Sequence, residues 1–115
     1  MTRRILVVDD DRAMVKTLCD IFRLRGWEPQ PAYSGKEAVA LQRQEKYPVV
    51  LMDIKMADMD GISASKVMRT EDPELKIFLM TAHTGPYSVR EVARDGTYHL
   101  VPKPIDLNSL LSLLE

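Results

Sequence analysis

The sequence alternates short β-forming runs with longer segments whose apolar residues recur at helical spacing. Strands that alternate with helix-length segments form repeated βαβ units, which build a parallel sheet covered by helices on both faces. The alternation therefore predicts an α/β fold with a parallel sheet. The five predicted strands are RILVVD, EPQPAY, PVVLMD, KIFLMT and YHLVP.

Residues that cap helices stand directly before several of the helical patterns. Aspartate and serine at such positions accept hydrogen bonds from the backbone N–H groups of the first helical turn. Gly26 stands where the first helix is expected to stop. The five predicted helices follow Asp11, follow Ser34, begin near Ile62, run from Pro86 to about Asp95, and follow Asp106.

Length and charge limit the classes of protein to which this chain can belong. Its 115 residues, 45% of them hydrophobic, predict one domain that spans residues 1–115. Sixteen basic against seventeen acidic residues give no reason to expect direct binding to nucleic acid or to an anionic membrane. No run approaches the roughly 18 to 20 apolar residues of a membrane span, and MTRRILVVDDD turns acidic too early for a secretory signal. We expect a cytoplasmic domain whose single cysteine, Cys19, fills the core.

Polar side chains follow four of the predicted strands at their carboxyl ends. Asp9 and Asp10 end the first strand, and Asp53 ends the third. Thr81 ends the fourth strand, and the fifth leads to Lys103. In open parallel sheets, ligands bind at the carboxyl ends of the strands, so we expect these five side chains to lie at one site.

These residue types favour phosphoryl chemistry with a divalent metal ion. Adjacent carboxylates at the mouth of an apolar layer repel each other and lose hydration, so a cation or a helix terminus is expected beside them. Mg²⁺ prefers one or two carboxylates together with waters and a phosphoryl oxygen. Asp53 is then a candidate nucleophile that can form an aspartyl phosphate. Thr81 could donate a hydrogen bond to one phosphoryl oxygen, and Lys103 could neutralise another.

Four stretches, ILVVDDD, VVLMDIKMADMDG, FLMTAH and VPKPID, occur in this order along the chain. With them the sequence resembles the receiver domain of two-component response regulators. The resemblance implies a flavodoxin-like, doubly wound, single-domain fold with a five-stranded parallel sheet in the order 2-1-3-4-5 and five helices. It also implies a Mg²⁺ cofactor and a sensor histidine kinase or phosphotransfer protein as the partner.

The resemblance assigns a role to each residue that matches a motif of the family. It makes Asp53 the phosphoacceptor, Asp10 a direct metal ligand, Asp9 its partner, Lys55 the source of a metal-binding backbone carbonyl, Thr81 the switch hydroxyl and Lys103 the phosphate-binding amine. It also implies that the bond before Pro104 is cis. Such a domain phosphorylates and dephosphorylates itself, and we do not expect it to be an enzyme by function.

The sequence departs from the family pattern at two positions. Leu100 replaces the usual aromatic residue, and Ala57 replaces the usual proline. A homodimer through the fourth helix, fifth strand and fifth helix is one further expectation.

A phosphorylation-silent interaction module would be expected to lack an acidic residue or the lysine, and neither is missing. A phosphohydrolase of the haloacid-dehalogenase type would carry its nucleophile on the first strand, whereas Asp53 follows the third.

The acidic residues after Asp53 have a simpler interpretation. Asp58 and Asp60, together with Gly61, are typical of turns, and we do not predict either carboxylate to be a ligand.

Overall fold

The computed structural model of the chain describes residues 3–56, 58–81 and 99–114. Its five strands pair in parallel in the order β2-β1-β3-β4-β5, which confirms the predicted order 2-1-3-4-5. Each observed strand overlaps its predicted run. The strands are β1 (Arg3–Val8), β2 (Trp27–Ala32), β3 (Val49–Asp53), β4 (Lys76–Thr81) and β5 (His99–Pro102).

Four helices lie within the described residues, each where the sequence predicts one. The helix predicted from Pro86 to about Asp95 lies outside the described residues, so the structure does not test that helix. The helices are α1 (Arg12–Leu24), α2 (Gly35–Glu45), α3 (Gly61–Glu71) and α4 (Leu107–Leu114).

The predicted helix caps are confirmed by hydrogen bonds to the first turn of each helix. Oδ1 of Asp11 accepts a hydrogen bond from the Met14 N–H at 3.2 Å, and Ser34 Oγ accepts one from the N–H at position 37 at 3.1 Å. Asp106 accepts one from the N–H at position 109 at 3.3 Å. At the other end of α1, Gly26 has a positive φ of 85°, as expected of a residue that ends a helix.

The sheet separates two apolar clusters, and neighbouring residues of β1 point into different ones. Ile5 and Val7 pack with α1 and α4, whereas Leu6 and Val8 pack with α2 and α3. This alternation follows from the two-residue period of a strand, and burial on both faces explains why the central strands are continuously apolar. Cys19 lies buried in the cluster with α1, as predicted. The two layers thus hold the strand ends at one edge in fixed register.

None of the helices in the described ranges is both long enough and apolar enough to cross a bilayer.

Candidate functional site

The two aspartates that end the first strand lie in different environments. The Asp9 N–H donates a hydrogen bond to the Ala32 carbonyl at 3.1 Å, which extends the pairing of β1 and β2 by one residue. Its side chain is buried, with a residue exposure of 1%, and Oδ1 accepts a hydrogen bond from the Asp11 N–H at 3.0 Å. Asp10 is exposed. One carboxylate is therefore fixed inside the protein, and its neighbour faces solvent.

Asp53 and Thr81 lie at the ends of β3 and β4, which are neighbours in the sheet. Asp53 is the last residue of β3 and pairs in register with Met80 of β4. Thr81 is the last residue of β4, and its carbonyl accepts a hydrogen bond from the Lys103 N–H at 2.9 Å. Both Asp53 and Thr81 are buried. The parallel register thus brings polar side chains from widely separated parts of the sequence to one edge of the sheet.

Three carboxylates converge at this edge. One oxygen each from Asp9, Asp10 and Asp53 lies within 4.8 Å of the other two, and within the described ranges this is the only acidic, histidine or cysteine cluster of that kind. The Lys103 ammonium lies 3.0 Å from Asp9 Oδ2 and 3.3 Å from Asp53 Oδ1. The peptide bond from Lys103 to Pro104 is cis, as the resemblance implied. The positive group that the sequence requires beside these carboxylates is therefore supplied in part by Lys103.

The electrostatics of the cluster are unbalanced. Burial raises the pKa of the Asp53 carboxyl above its ordinary value, and the charge of Asp9 raises it further, against a smaller opposing effect of Lys103. Burial alone would lower the pKa of Lys103, but the hydrogen bond to Asp9 and the charges of Asp53 and Asp9 raise it overall. The Asp53 shift thus reflects burial first and the charge of Asp9 second, whereas the Lys103 shift reflects the carboxylates around its ammonium.

The donor set fits a hard divalent cation. Carboxylate oxygens are the ligands that such ions prefer, and the exposure of Asp10 leaves room for the waters that Mg²⁺ retains. Lys55 lies two residues after Asp53, in the segment that leads to α3, with its side chain exposed. The cluster is therefore compatible with a divalent metal site.

Gly61 and Asp58, which follow Asp53 in the chain, make close contacts that the sequence did not predict. A Cβ atom at Gly61 would collide with the backbone carbonyl of Asp53, so only glycine allows α3 to begin this close to the end of β3. Asp60 caps α3 by accepting a hydrogen bond from the Ser63 N–H at 2.8 Å, which agrees with its interpretation as a turn residue. The side chain of Asp58, by contrast, contacts another helix. In the sequence, the one sign that α3 begins close to Asp53 is that Gly61 directly follows the acidic residue Asp60.

Leu100 lies in β5, beside the site but outside the carboxylate cluster. It pairs in register with Leu79 of β4 and packs, partly buried, against the apolar cluster of α2 and α3. Ala57, the other departure from the family pattern, lies outside the described residues. The aliphatic residue at position 100 thus continues the apolar layer up to the site.

Comparison with known proteins gives a consistent result. The family described as "Response regulator receiver domain" matches residues 5–115. Regulatory protein AtoC of Escherichia coli K12 is 40% identical over 107 residues, which cover 93% of this chain and 23% of AtoC. Transcriptional regulatory protein ZraR of Salmonella typhimurium is 36% identical over 111 residues, which cover 96% of this chain and 25% of ZraR. The chain spans about a quarter of the length of these curated relatives.

Solved structures with the same fold include two chains of high similarity. A receiver domain protein described as CheY-like, from Methanospirillum hungatei, superposes with a TM-score of 0.92 at 26% identity, covering 99% of this chain and 91% of that one. Chemotaxis protein CheY4 of Vibrio cholerae superposes with a TM-score of 0.89 at 25% identity, covering 99% and 97%.

Proposed function

Because the chain belongs to the response regulator receiver domain family, we propose that it is the phosphoacceptor domain of a two-component system. In this proposal Asp53 accepts a phosphoryl group from a sensor histidine kinase or a phosphotransfer protein, in a Mg²⁺-dependent reaction. The observation that carries the proposal is the convergence of Asp9, Asp10, Asp53 and Lys103 at one sheet edge. Residues 1–115 form the domain.

Asp53 acts as the nucleophile. A carboxylate oxygen attacks the phosphorus of a phosphohistidine, and a P–O bond forms as the P–N bond breaks. The electron pair of the P–N bond returns to the imidazole, whose other nitrogen already carries a proton, so a neutral histidine leaves. Burial at the end of β3 keeps the carboxylate poorly hydrated, which favours attack over solvation.

The surrounding residues orient the phosphoryl group and balance its charge. Lys103, already between two carboxylates, pairs with one phosphoryl oxygen, and the Thr81 hydroxyl donates a hydrogen bond to another and acts as the switch. Mg²⁺, held by Asp9, Asp10, Asp53 and the backbone carbonyl of Lys55, would neutralise charge that develops on the phosphoryl oxygens. Apart from the nucleophile Asp53, the protein needs to supply only positioning and electrostatic stabilisation.

The role of the domain is signalling and not turnover of a substrate. We propose that it catalyses only its own phosphorylation and dephosphorylation, acts in the cytoplasm, and binds neither nucleic acid nor membrane directly. The near balance of sixteen basic and seventeen acidic residues supports the last point. The position of Asp53 after the third strand supports a receiver over a haloacid-dehalogenase phosphohydrolase. The intact set of acidic residues and lysine supports it over a phosphorylation-silent module.

The output surface in this proposal is formed by the helix predicted from Pro86 to about Asp95, by β5 and by α4, and it serves as a contact between two copies. Within the described residues, Leu113 of α4 is 57% exposed, and it borders a groove of about 240 Å³ between β5 and α4 that Leu100 also lines. An exposed leucine beside an open groove supports a protein contact at this face.

The test is phosphorylation with acetyl phosphate, followed by intact-mass measurement. The wild-type protein should gain one acid-labile phosphoryl group with Mg²⁺ and none in EDTA. Asp53→Asn should abolish the product because the amide is not a nucleophile, whereas the control Asp20→Asn, on the exposed face of α1, should react like the wild type. A phosphoryl group that persists in Asp53→Asn would overturn the assignment.

A further inference from the structure

The segment between β3 and α3 carries the backbone carbonyl of Lys55, and backbone hydrogen bonds fix its two ends. At the start, the Ile54 N–H donates to the Met80 carbonyl at 3.1 Å. At the end, the Gly61 N–H donates to the Ile54 carbonyl at 2.7 Å. These bonds close the segment into a loop but do not by themselves orient the carbonyls in its middle.

The carboxylate of Asp58 ties the middle of this loop to α2. Oδ1 accepts a hydrogen bond from the Gly35 N–H and Oδ2 accepts one from the Lys36 N–H, each at 3.3 Å. The next N–H of the helix donates to its cap, Ser34 Oγ. The first N–H groups of a helix have no partner within it and favour an anion, so the loop carboxylate takes two donors that the cap leaves available.

The absence of a side chain at Gly35 independently allows the close contact between the loop and α2. A Cβ atom at Gly35 would lie 2.5 Å from the Met59 carbonyl oxygen and 2.9 Å from Met59 Cβ. Any other residue at position 35 would therefore push the loop away from the helix. Burial acts to raise the pKa of Asp58, but hydrogen bonds from backbone N–H groups, including those of Lys36 and Gly35, hold it below its ordinary value. The carboxylate is thus bound as the anion.

We propose that Asp58 is a positioning residue for the metal site: by fastening the loop to the first turn of α2, it holds the Lys55 carbonyl in place to bind the divalent ion. This inference rests on the proposed function, because it needs the loop carbonyl to be a ligand. Groups that orient metal ligands through hydrogen bonds affect metal affinity although they do not touch the metal. Asp58 would act in that way through the backbone.

The test measures Mg²⁺ binding by titration calorimetry on the unphosphorylated protein. Asp58→Ala should weaken binding about 10-fold. The Mg²⁺ concentration that gives half the maximal rate with acetyl phosphate should rise to the same extent, and the rate at saturating Mg²⁺ should stay near that of the wild type. The matched control is Ser34→Ala, which also removes a hydrogen-bond acceptor from the start of α2 but has no bond to the loop. Its Mg²⁺ affinity should equal that of the wild type.

Three outcomes would overturn the positioning role. The first is unchanged Mg²⁺ affinity in Asp58→Ala, and the second is an equal loss in Ser34→Ala, which would reveal a general effect of the helix end. The third is a loss that disappears at high ionic strength, because a long-range charge effect is screened whereas a hydrogen-bonded tether is not. A wild-type protein that binds no Mg²⁺ and gains no phosphoryl group would instead show that the proposed function itself is wrong.

Discussion

Two sets of ion pairs in this molecule use the same chemistry in opposite environments. On the outer surface, Arg43 of α2 and Glu71 of α3 approach to 2.7 Å, with side-chain exposures of 57% and 43%. At the carboxyl edge of the sheet, Lys103 lies 3.0 Å from Asp9, whose side chain is only 1% exposed. The shorter pair, Arg43–Glu71, is expected to contribute less to the free energy of unfolding. Water screens its exposed charges and already solvates them when they are apart. Burial, and not distance, decides the energetic weight of each pair.

The buried set also differs in its charge balance. The Arg43–Glu71 pair joins one acid to one base, whereas Lys103 lies among three carboxylates. Three negative charges against one positive charge leave an excess of two when all groups are ionised, and the raised pKa of Asp53 is consistent with that excess. The crowded carboxylates are therefore expected to lower the stability of the ion-free fold.

Removal of the partly buried Lys103 ammonium should change stability more than any other substitution considered below. Lys103→Met should lower the free energy of unfolding by about 3 kcal/mol in EDTA, because it leaves buried carboxylates without their cation. Urea unfolding can be followed by the fluorescence of Trp27, the single tryptophan, which is buried at 6% exposure. Addition of Mg²⁺ should reduce the deficit, since the ion replaces the lost positive charge and binds the native state.

The pH dependence gives a control for this variant. The pKa of Lys103 is raised in the folded state, so its stabilising contribution is complete below the unfolded pKa and disappears as pH rises through the folded pKa. The wild type should therefore approach Lys103→Met in stability in strongly alkaline solution. A deficit as small as that of a surface pair at neutral pH would show that burial gives Lys103 no special weight.

A smaller effect of opposite sign is expected when one of the crowded carboxylates is neutralised. Asp53→Asn should raise the free energy of unfolding by about 1 to 2 kcal/mol in EDTA, the equivalent of one or two like-charge interactions. The gain should shrink with Mg²⁺, which stabilises the wild-type native state. Thermal unfolding with and without the ion measures both.

The sign of the pH effect distinguishes this interpretation from a simple packing change. A carboxyl group with a raised folded pKa contributes stability that is present below its unfolded pKa and is lost as pH rises through the folded pKa. The advantage of Asp53→Asn should therefore decline as pH falls from neutral through the folded pKa of Asp53. A variant that melts below the wild type in EDTA at neutral pH would contradict the crowded-carboxylate interpretation.

The smallest effect is expected at the surface pair. Arg43→Met should change the free energy of unfolding by no more than about 0.5 kcal/mol, since the pair is exposed and screened. A double-mutant cycle with Glu71→Gln isolates the interaction from other effects of each substitution. A coupling energy between Arg43 and Glu71 as large as the effect of Lys103→Met would contradict the expected difference between the two regions.

The sequence alone predicts the described helices and strands and the approach of acidic residues at one sheet edge. The caps Asp11, Ser34 and Asp106 were predictable because each bonds an N–H group only three residues away. The convergence of Asp9 and Asp53 was predictable as well, because parallel strands place their carboxyl ends at one edge and the alternating pattern indicates parallel strands.

The long-range partners of the site residues, by contrast, become visible only in the folded structure. The ammonium of Lys103 reaches Asp9 across 94 residues of sequence, and Asp58, which has the local pattern of a turn residue, bonds the N–H of Gly35 23 residues earlier. The need for glycine at position 61 likewise becomes clear only in the structure, where α3 begins against the backbone of Asp53. Local spacing specifies hydrogen bonds within a turn, but contacts between distant segments depend on how the packed layers bring their backbones together, and the layers form only when the whole chain folds.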